Sequence, residues 1–177
     1  MGKQYKKLTD KDMKFIQEQK LFYLASTSDK EVNLSPKGYD SIRVLGNTTI
    51  LFMSYPGSAN RTYRDAVNNG KFTLVFNAFE GKPKILRLFC KAEIVEKQSD
   101  AFQNYLDMFN EQDSLVRDLF LFKIYTVESS CGEAVPYMEY KGERTSLKEW
   151  AIKMEKSNKL EEYKKAHHTP VNLKEIK

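Results

Sequence analysis

Long apolar runs are missing from this chain, and none approaches the ~20 residues that a membrane-spanning helix requires. Cysteine is scarce as well. Cys90 and Cys131 are the only two, a poor disulfide framework that points to a reducing interior. The opening MGKQYKKLTDKD is too polar for a secretory signal. These absences predict a soluble, cytoplasmic protein with no membrane partner. His167 and His168 are the only histidines, adjacent on a polar tail with no third ligand at metal spacing, so no metal site is expected. No Ser/His/Asp order, P-loop or CxxC pair appears, and no repeat or low-complexity tract.

Charge excludes less at first sight, because the net value is +5. Its distribution is more telling. Residues 1–20 carry six Lys against three acids, and 148–177 carry eight against five, whereas 21–147 holds 15 basic and 16 acidic residues. The excess therefore lies in terminal helical segments, where Lys mixed with Glu marks a solvated face. A nucleic-acid binder would place a basic stripe on its binding element, so no nucleic-acid partner is expected.

What is present is β-forming sequence, with ten Tyr and eleven Phe in 177 residues. The length suits a single domain, 1–177, with a real core. Thr9 with Asp12 reads as a capping box opening a helix over 9–19. Strands follow at 21–27, 31–35, 41–45 and 48–54, the last two bracketing Gly46-Asn47 as a two-residue hairpin loop. A short helix closes on Asn69-Gly70. Strands at 72–79 and 84–96 come next, then a helix capped by Ser99 and a second helical piece near 114–119. A strand at 120–127, a turn at 129–132 and a last strand at 135–140 complete the sheet. Ser146 and Glu149 form another capping-box pattern, opening a long C-terminal helix over 146–165 with Trp150, Met154, Leu160 and Tyr163 inward. Strands in succession, with helices inserted rather than alternating, predict a mainly β fold with α decorations: an antiparallel, Greek-key-like barrel or sandwich.

Chemistry concentrates in Tyr55–Thr62 (YPGSANRT). Gly57, Ser58, Asn60, Arg61 and Thr62 place hydroxyls, a guanidinium and free amides where a helix begins, which suits an anion. Without a ligand, the same residues are an ordinary N-capped helix. Lys37, after Ser35-Pro36, and Arg87 are further cations for such a site. Alternation along 84–89 puts Ile85, Arg87 and Phe89 on one face and Leu86 and Leu88 on the other. Composition alone reads Arg87 as half of a surface ion pair; a place over a ligand ring is the alternative. Cys90 reads as core, and Asp107, Glu111 and Asp113 as solvated surface.

The ordered series SPKG (35–38), GSANRT (57–62), NNGKFTLVFNAF (68–79) and ILRL (85–88), with SCGEAVPYMEYKGERTSLKEWA (130–151), resembles the pyridoxamine 5'-phosphate oxidase-like FMN-binding split barrels over about residues 14–155. The resemblance implies a homodimeric split β-barrel with FMN in the groove between subunits. It also implies an oxidoreductase acting with a small-molecule substrate or electron donor. Residue by residue, Arg61 and Thr62 match the phosphate-contacting pair, with Ser58 and Asn60 in the same loop. Lys37 matches the lysine ending the second-strand flavin motif, with Ser35 beside it, Ser54 matches a small hydroxyl residue ending the next strand, and Arg87 lies in ILRL. The partner's 129–135 segment would cover the ring. Departures occur where the family's strand arginine falls near Val32, its later glutamine near Ile85, and the subgroup's acid before the loop threonine at Arg61. The vitamin B6 oxidase itself ends in a substrate-binding Arg-x-His and an Arg-Leu-Ala-Pro tail; this chain ends HHTPVNLKEIK and is not read as that enzyme. Two rivals stand beside the FMN reading: a non-catalytic flavin, deazaflavin or haem binder of the same fold, and a nucleic-acid-binding barrel.

Overall fold

The structure is a computed structural model and describes residues 2–175, so the first and the last two positions of the expected 1–177 domain lie outside the described residues. Eight strands build one sheet: β1 (Lys3–Tyr5), β2 (Phe22–Thr27), β3 (Asn33–Lys37), β4 (Ile42–Val44), β5 (Thr49–Ser54), β6 (Lys71–Asn77), β7 (Ile85–Val95) and β8 (Asp118–Ser130). Helices α1 (Asp10–Glu18), α2 (Arg61–Val67), α3 (Asp100–Asp107), α4 (Ser146–Lys156) and α5 (Leu160–Ala166) decorate it. The sheet runs β3-β2-β6-β7-β8-β5-β4, every pair antiparallel, with β1 added on β8. Its two edges, β3 and β4, are consecutive in the chain and joined by only residues 38–41. The sheet therefore curls into an antiparallel half-barrel whose edges face each other without pairing. That gap is the split.

Alternation decides what fills the barrel. Phe22, Leu24, Phe72, Leu74, Phe76, Leu86, Leu88, Phe120 and Phe122 point inward and are buried, with Phe22 and Phe76 stacked at 5.4 Å and Phe52 stacked on both Phe120 and Phe122. Strand β5 breaks the alternation because both its faces are covered. Ile50 and Phe52 join the barrel core, while Leu51 and Met53 pack with Phe102 and Leu106 of α3. Helix α1 starts at the Thr9–Asp12 capping box, and the Ser99 side chain caps α3.

Five local expectations are corrected. The 46–47 loop has three residues, since Leu45 N–H donates to Thr49 O at 3.0 Å. Gly46, at φ +126°, supplies the left-handed step. The strand expected at 135–140 does not form. Pro136 has no N–H to offer, Tyr137 is 83% exposed, Val135 N–H turns back to Gly132 O, and Met138 N–H donates to Phe79 O. Residues 129 and 130 belong to β8 rather than to a turn, and the helical piece near 114–119 is a 3₁₀ turn at Asp113–Leu115. The long C-terminal helix is two helices. Asn158 adopts φ +56° and Lys159 N–H closes on Met154 O, so the chain stops and restarts as α5; Thr145, without a side-chain cap bond, precedes α4.

Candidate functional site

The split is lined from β3 on one side and from β5 on the other, and α2 packs on β2 and β7. Register places Lys37 opposite Phe22 and Ser35 opposite Leu24, so Asn33, Ser35 and Lys37 share the barrel-facing side of β3. Pro36 and Leu34 face outward. Pro36 is tolerated because β3 is an edge. Lys37 extends across the split to the Phe52 ring, 5.9 Å from its centroid, and no carboxylate among the described residues pairs with its ammonium. Burial pushes its pKa down. A desolvated cation without a counter-charge is costly unless something anionic joins it.

Arg61 bridges the split at its other end. Its Nε donates to Glu31 Oε1 at 3.1 Å, and Arg64 Nη1 donates to the same oxygen at 2.6 Å. Glu31 sits on the turn entering β3, and these arginines, Arg64 first, push its pKa down to about 2. The arginines are held in turn by Asp65, which is fully buried and accepts from Ser26 Oγ (2.6 Å), Ser28 Oγ (2.7 Å) and Arg64 Nε (2.9 Å). This network locks α2 onto the β2–β3 hairpin. Gly70 completes the lock, since its N–H donates to Asp65 O and a Cβ there would lie 2.6 Å from both Asp65 O and Thr27 O. Gly70→Ala should therefore cost about 1–3 kcal/mol through forced backbone displacement. Thermal unfolding checks this, and an unchanged midpoint would refute the close fit.

Between these ends, Ser54 closes β5 opposite Asp118. Asn60, 4% exposed, lies against Asp118, yet its Nδ2 has no acceptor at hydrogen-bond geometry and Asp118 Oδ2 has no donor. Burial raises the Asp118 pKa, opposed by the Arg117, His168 and Lys97 charges and by Asn60. Arg117 is 7% exposed, and its Nε and Nη2 are also without partners. Unmatched buried polar atoms cluster in this one corner.

The expected site residues thus separate. Ser35, Lys37, Ser54, Asn60 and Arg61 belong to the split; Ser58 is exposed on its loop and Thr62 half-buried in the first turn of α2. Arg87 lies on the outer face of the sheet, in an ion pair with Glu128 (3.3 Å) and 3.0 Å from Ser130 Oγ. That is the surface-pair alternative, in a place outside the split. Glu31, Asp65, Arg117 and Asp118 escaped sequence reasoning; Asp65 binds serines 37 and 39 residues away, and no local pattern marks it. His167 stacks on Tyr163 at 4.0 Å and His168 packs against Tyr63 at 4.7 Å, both beyond α5. Cys90 is buried, with its thiol pKa pushed up, and Cys131 is exposed. A groove of about 900 Å³ opens beside Gly38 and Tyr39, just past Lys37, roofed by Met138–Arg144. No helix among the described residues is long and apolar enough to cross a membrane.

The sequence profile described as Pyridoxamine 5'-phosphate oxidase matches residues 8–131. The pyridoxamine 5'-phosphate oxidase family protein ustO of Aspergillus flavus is 30% identical over 141 residues, 76% of this chain. The match spans 56% of that relative's own length. Among solved structures, a putative pyridoxamine 5'-phosphate oxidase from Lactobacillus delbrueckii superposes with a TM-score of 0.54 at 16% identity, over 70% of this chain and 98% of that one. The FAD binding protein of Mycobacterium smegmatis superposes with a TM-score of 0.52 at 10% identity, over 70% and 95%. At such identities the structural likeness concerns the fold.

Proposed function

The chain belongs to the pyridoxamine 5'-phosphate oxidase family, and we propose from that premise that its split holds FMN and that it works as a homodimeric, FMN-dependent oxidoreductase on a small-molecule substrate or electron donor. The observation that carries the reading is Lys37, a desolvated ammonium inside the split with no counter-charge of its own. That suits a ligand that brings negative charge and acceptor oxygens. Arg61, with Thr62 behind it, would hold the phosphate, and Ser35 and Ser54 would meet the ribityl chain.

Bound FMN supplies the electron-transfer chemistry, while the protein binds, orients and excludes water. The chain's own residues account for those tasks: Phe52 and Phe22 close the barrel beneath Lys37, and the network around Asp65 fixes α2. The dimer draws support from the outer sheet face, where Leu34, 63% exposed, lines up with Ala25, Thr73 and Phe89 in one cross-strand row.

Titrating the protein against FMN and riboflavin, followed by flavin fluorescence, tests the reading. The expected result is tighter binding of FMN than of riboflavin by at least about tenfold, the worth of one charge-assisted contact. Equal affinities would remove phosphate from the account. The haem rival needs an axial ligand; His167 stacks on Tyr163, while His168 lies against Tyr63 of α2.

A further inference from the structure

The phosphate end of the split already holds an anion of the protein's own. Glu31 Oε1 takes hydrogen bonds from Arg64 at 2.6 Å and Arg61 at 3.1 Å. The two arginines are not equivalent. Arg64 has a second, fully buried partner in Asp65 that fixes it, whereas Arg61 has Glu31 alone. One residue earlier, the buried Asn60 lies against the Asp118 carboxylate. A guanidinium whose one partner among the described residues is a carboxylate on a half-buried turn has the form of an acceptor site filled by a stand-in.

From this geometry we infer that Glu31 is an internal competitor for a phosphate monoester at Arg61: the ligand takes Arg61 from Glu31, while Arg64, tied to Asp65, keeps the carboxylate. The inference rests on the FMN reading above and deepens it, because it names a residue that works against phosphate binding. Its physical consequence is selective. Apparent affinity is reduced by the fraction of time the binding-competent arrangement is populated, and that reduction falls only on ligands that need Arg61. FMN bears it. Riboflavin, with the same ring and ribityl chain and no phosphate, does not. Protonation does not release the clasp in the ordinary pH range, since Arg64 and Arg61 hold Glu31 ionised down to about pH 2. A competing anion is what opens it.

The test uses the full chain and three proteins, wild type, Glu31→Gln and Arg61→Ala, each titrated with FMN and with riboflavin by flavin fluorescence. Glu31→Gln should tighten FMN by about tenfold, as a competence fraction near one in ten implies, and leave riboflavin within twofold. Arg61→Ala should weaken FMN by at least about tenfold, the worth of one charge-assisted contact, and leave riboflavin within twofold. If Arg61→Ala loses FMN but Glu31→Gln binds it equally or more weakly, Glu31 serves to position the arginines and the inference falls alone. If wild type shows no preference for FMN and Arg61→Ala changes nothing, the FMN reading falls with it. The wild-type protein gives a readout independent of variant folding. On adding FMN, the Arg61 Nε–H resonance should move and that of Arg64 stay; both moving together, or neither moving, would overturn the exchange.

Discussion

Lys37→Met is expected to leave the barrel folded and to cost FMN about 10- to 100-fold in affinity, the worth of one charge-assisted hydrogen bond. Methionine keeps an unbranched apolar stem over Phe52 and removes only the ammonium, so packing survives. The protein without ligand should unfold at an equal or higher temperature, because a buried, unpaired charge is gone. The sign with pH follows from the same burial. The folded-state pKa of Lys37 lies below its unfolded value, so the unfolded chain binds more protons in the window between the two. Stability therefore rises with pH across that window. A bound anion favours the charged form, so FMN affinity should fall as pH climbs through the folded-state pKa, and Lys37→Met should abolish that dependence. Calorimetric titration at several pH values reads both effects. A variant that binds FMN with wild-type affinity would remove Lys37 from the site.

Asp65→Ala should have the opposite character, a large loss of stability. Its carboxylate is fully buried and is met by Ser26, Ser28 and Arg64. Removing it strands the Ser26 and Ser28 hydroxyls and leaves Arg64 with Glu31 alone. Breaking a buried charged network by deleting one partner costs about 3–5 kcal/mol. In a chain of this size that corresponds to a fall of roughly 6–20 °C in the unfolding midpoint. Asp65→Asn, which keeps one acceptor oxygen, should lose less. Circular dichroism during heating checks the pair; a midpoint within 1 °C of wild type for Asp65→Ala would show that α2 is held by its apolar contacts instead. The loss should carry over to flavin binding, since Arg61 and Asn60 are placed by the element that Asp65 anchors.

These two residues also mark what the sequence made legible. Lys37 was singled out because SPKG stands in a fixed order with GSANRT and ILRL, and the register puts Lys37 opposite Phe22 on the barrel-facing side of β3. Thr9 with Asp12 and Ser99 announced their helices through local side-chain-to-backbone bonds, a signal contained within four residues. Asp65 and Glu31 were invisible because their partners come from elements 30 to 39 residues distant, and nothing in RTYRD separates a buried carboxylate from a solvated one. Arg87 shows the intermediate case. Alternation gave its face correctly, but only the sheet order shows that this face looks away from Lys37 and that Glu128 already occupies it. The missing strand at 135–140 and the break at Asn158 have one origin. Aromatic content and helical periodicity are averaged over windows, whereas Pro136 and a single left-handed Asn158 act at one residue.

The central claim, a split barrel that retains FMN, is tested most directly by the absorption spectrum of the purified protein after saturation with FMN and desalting. The expected result is the pair of flavin bands travelling with the protein. A colourless protein, with all FMN left behind on the column, would contradict the claim and leave Lys37 and Arg61 as cations serving some other anion.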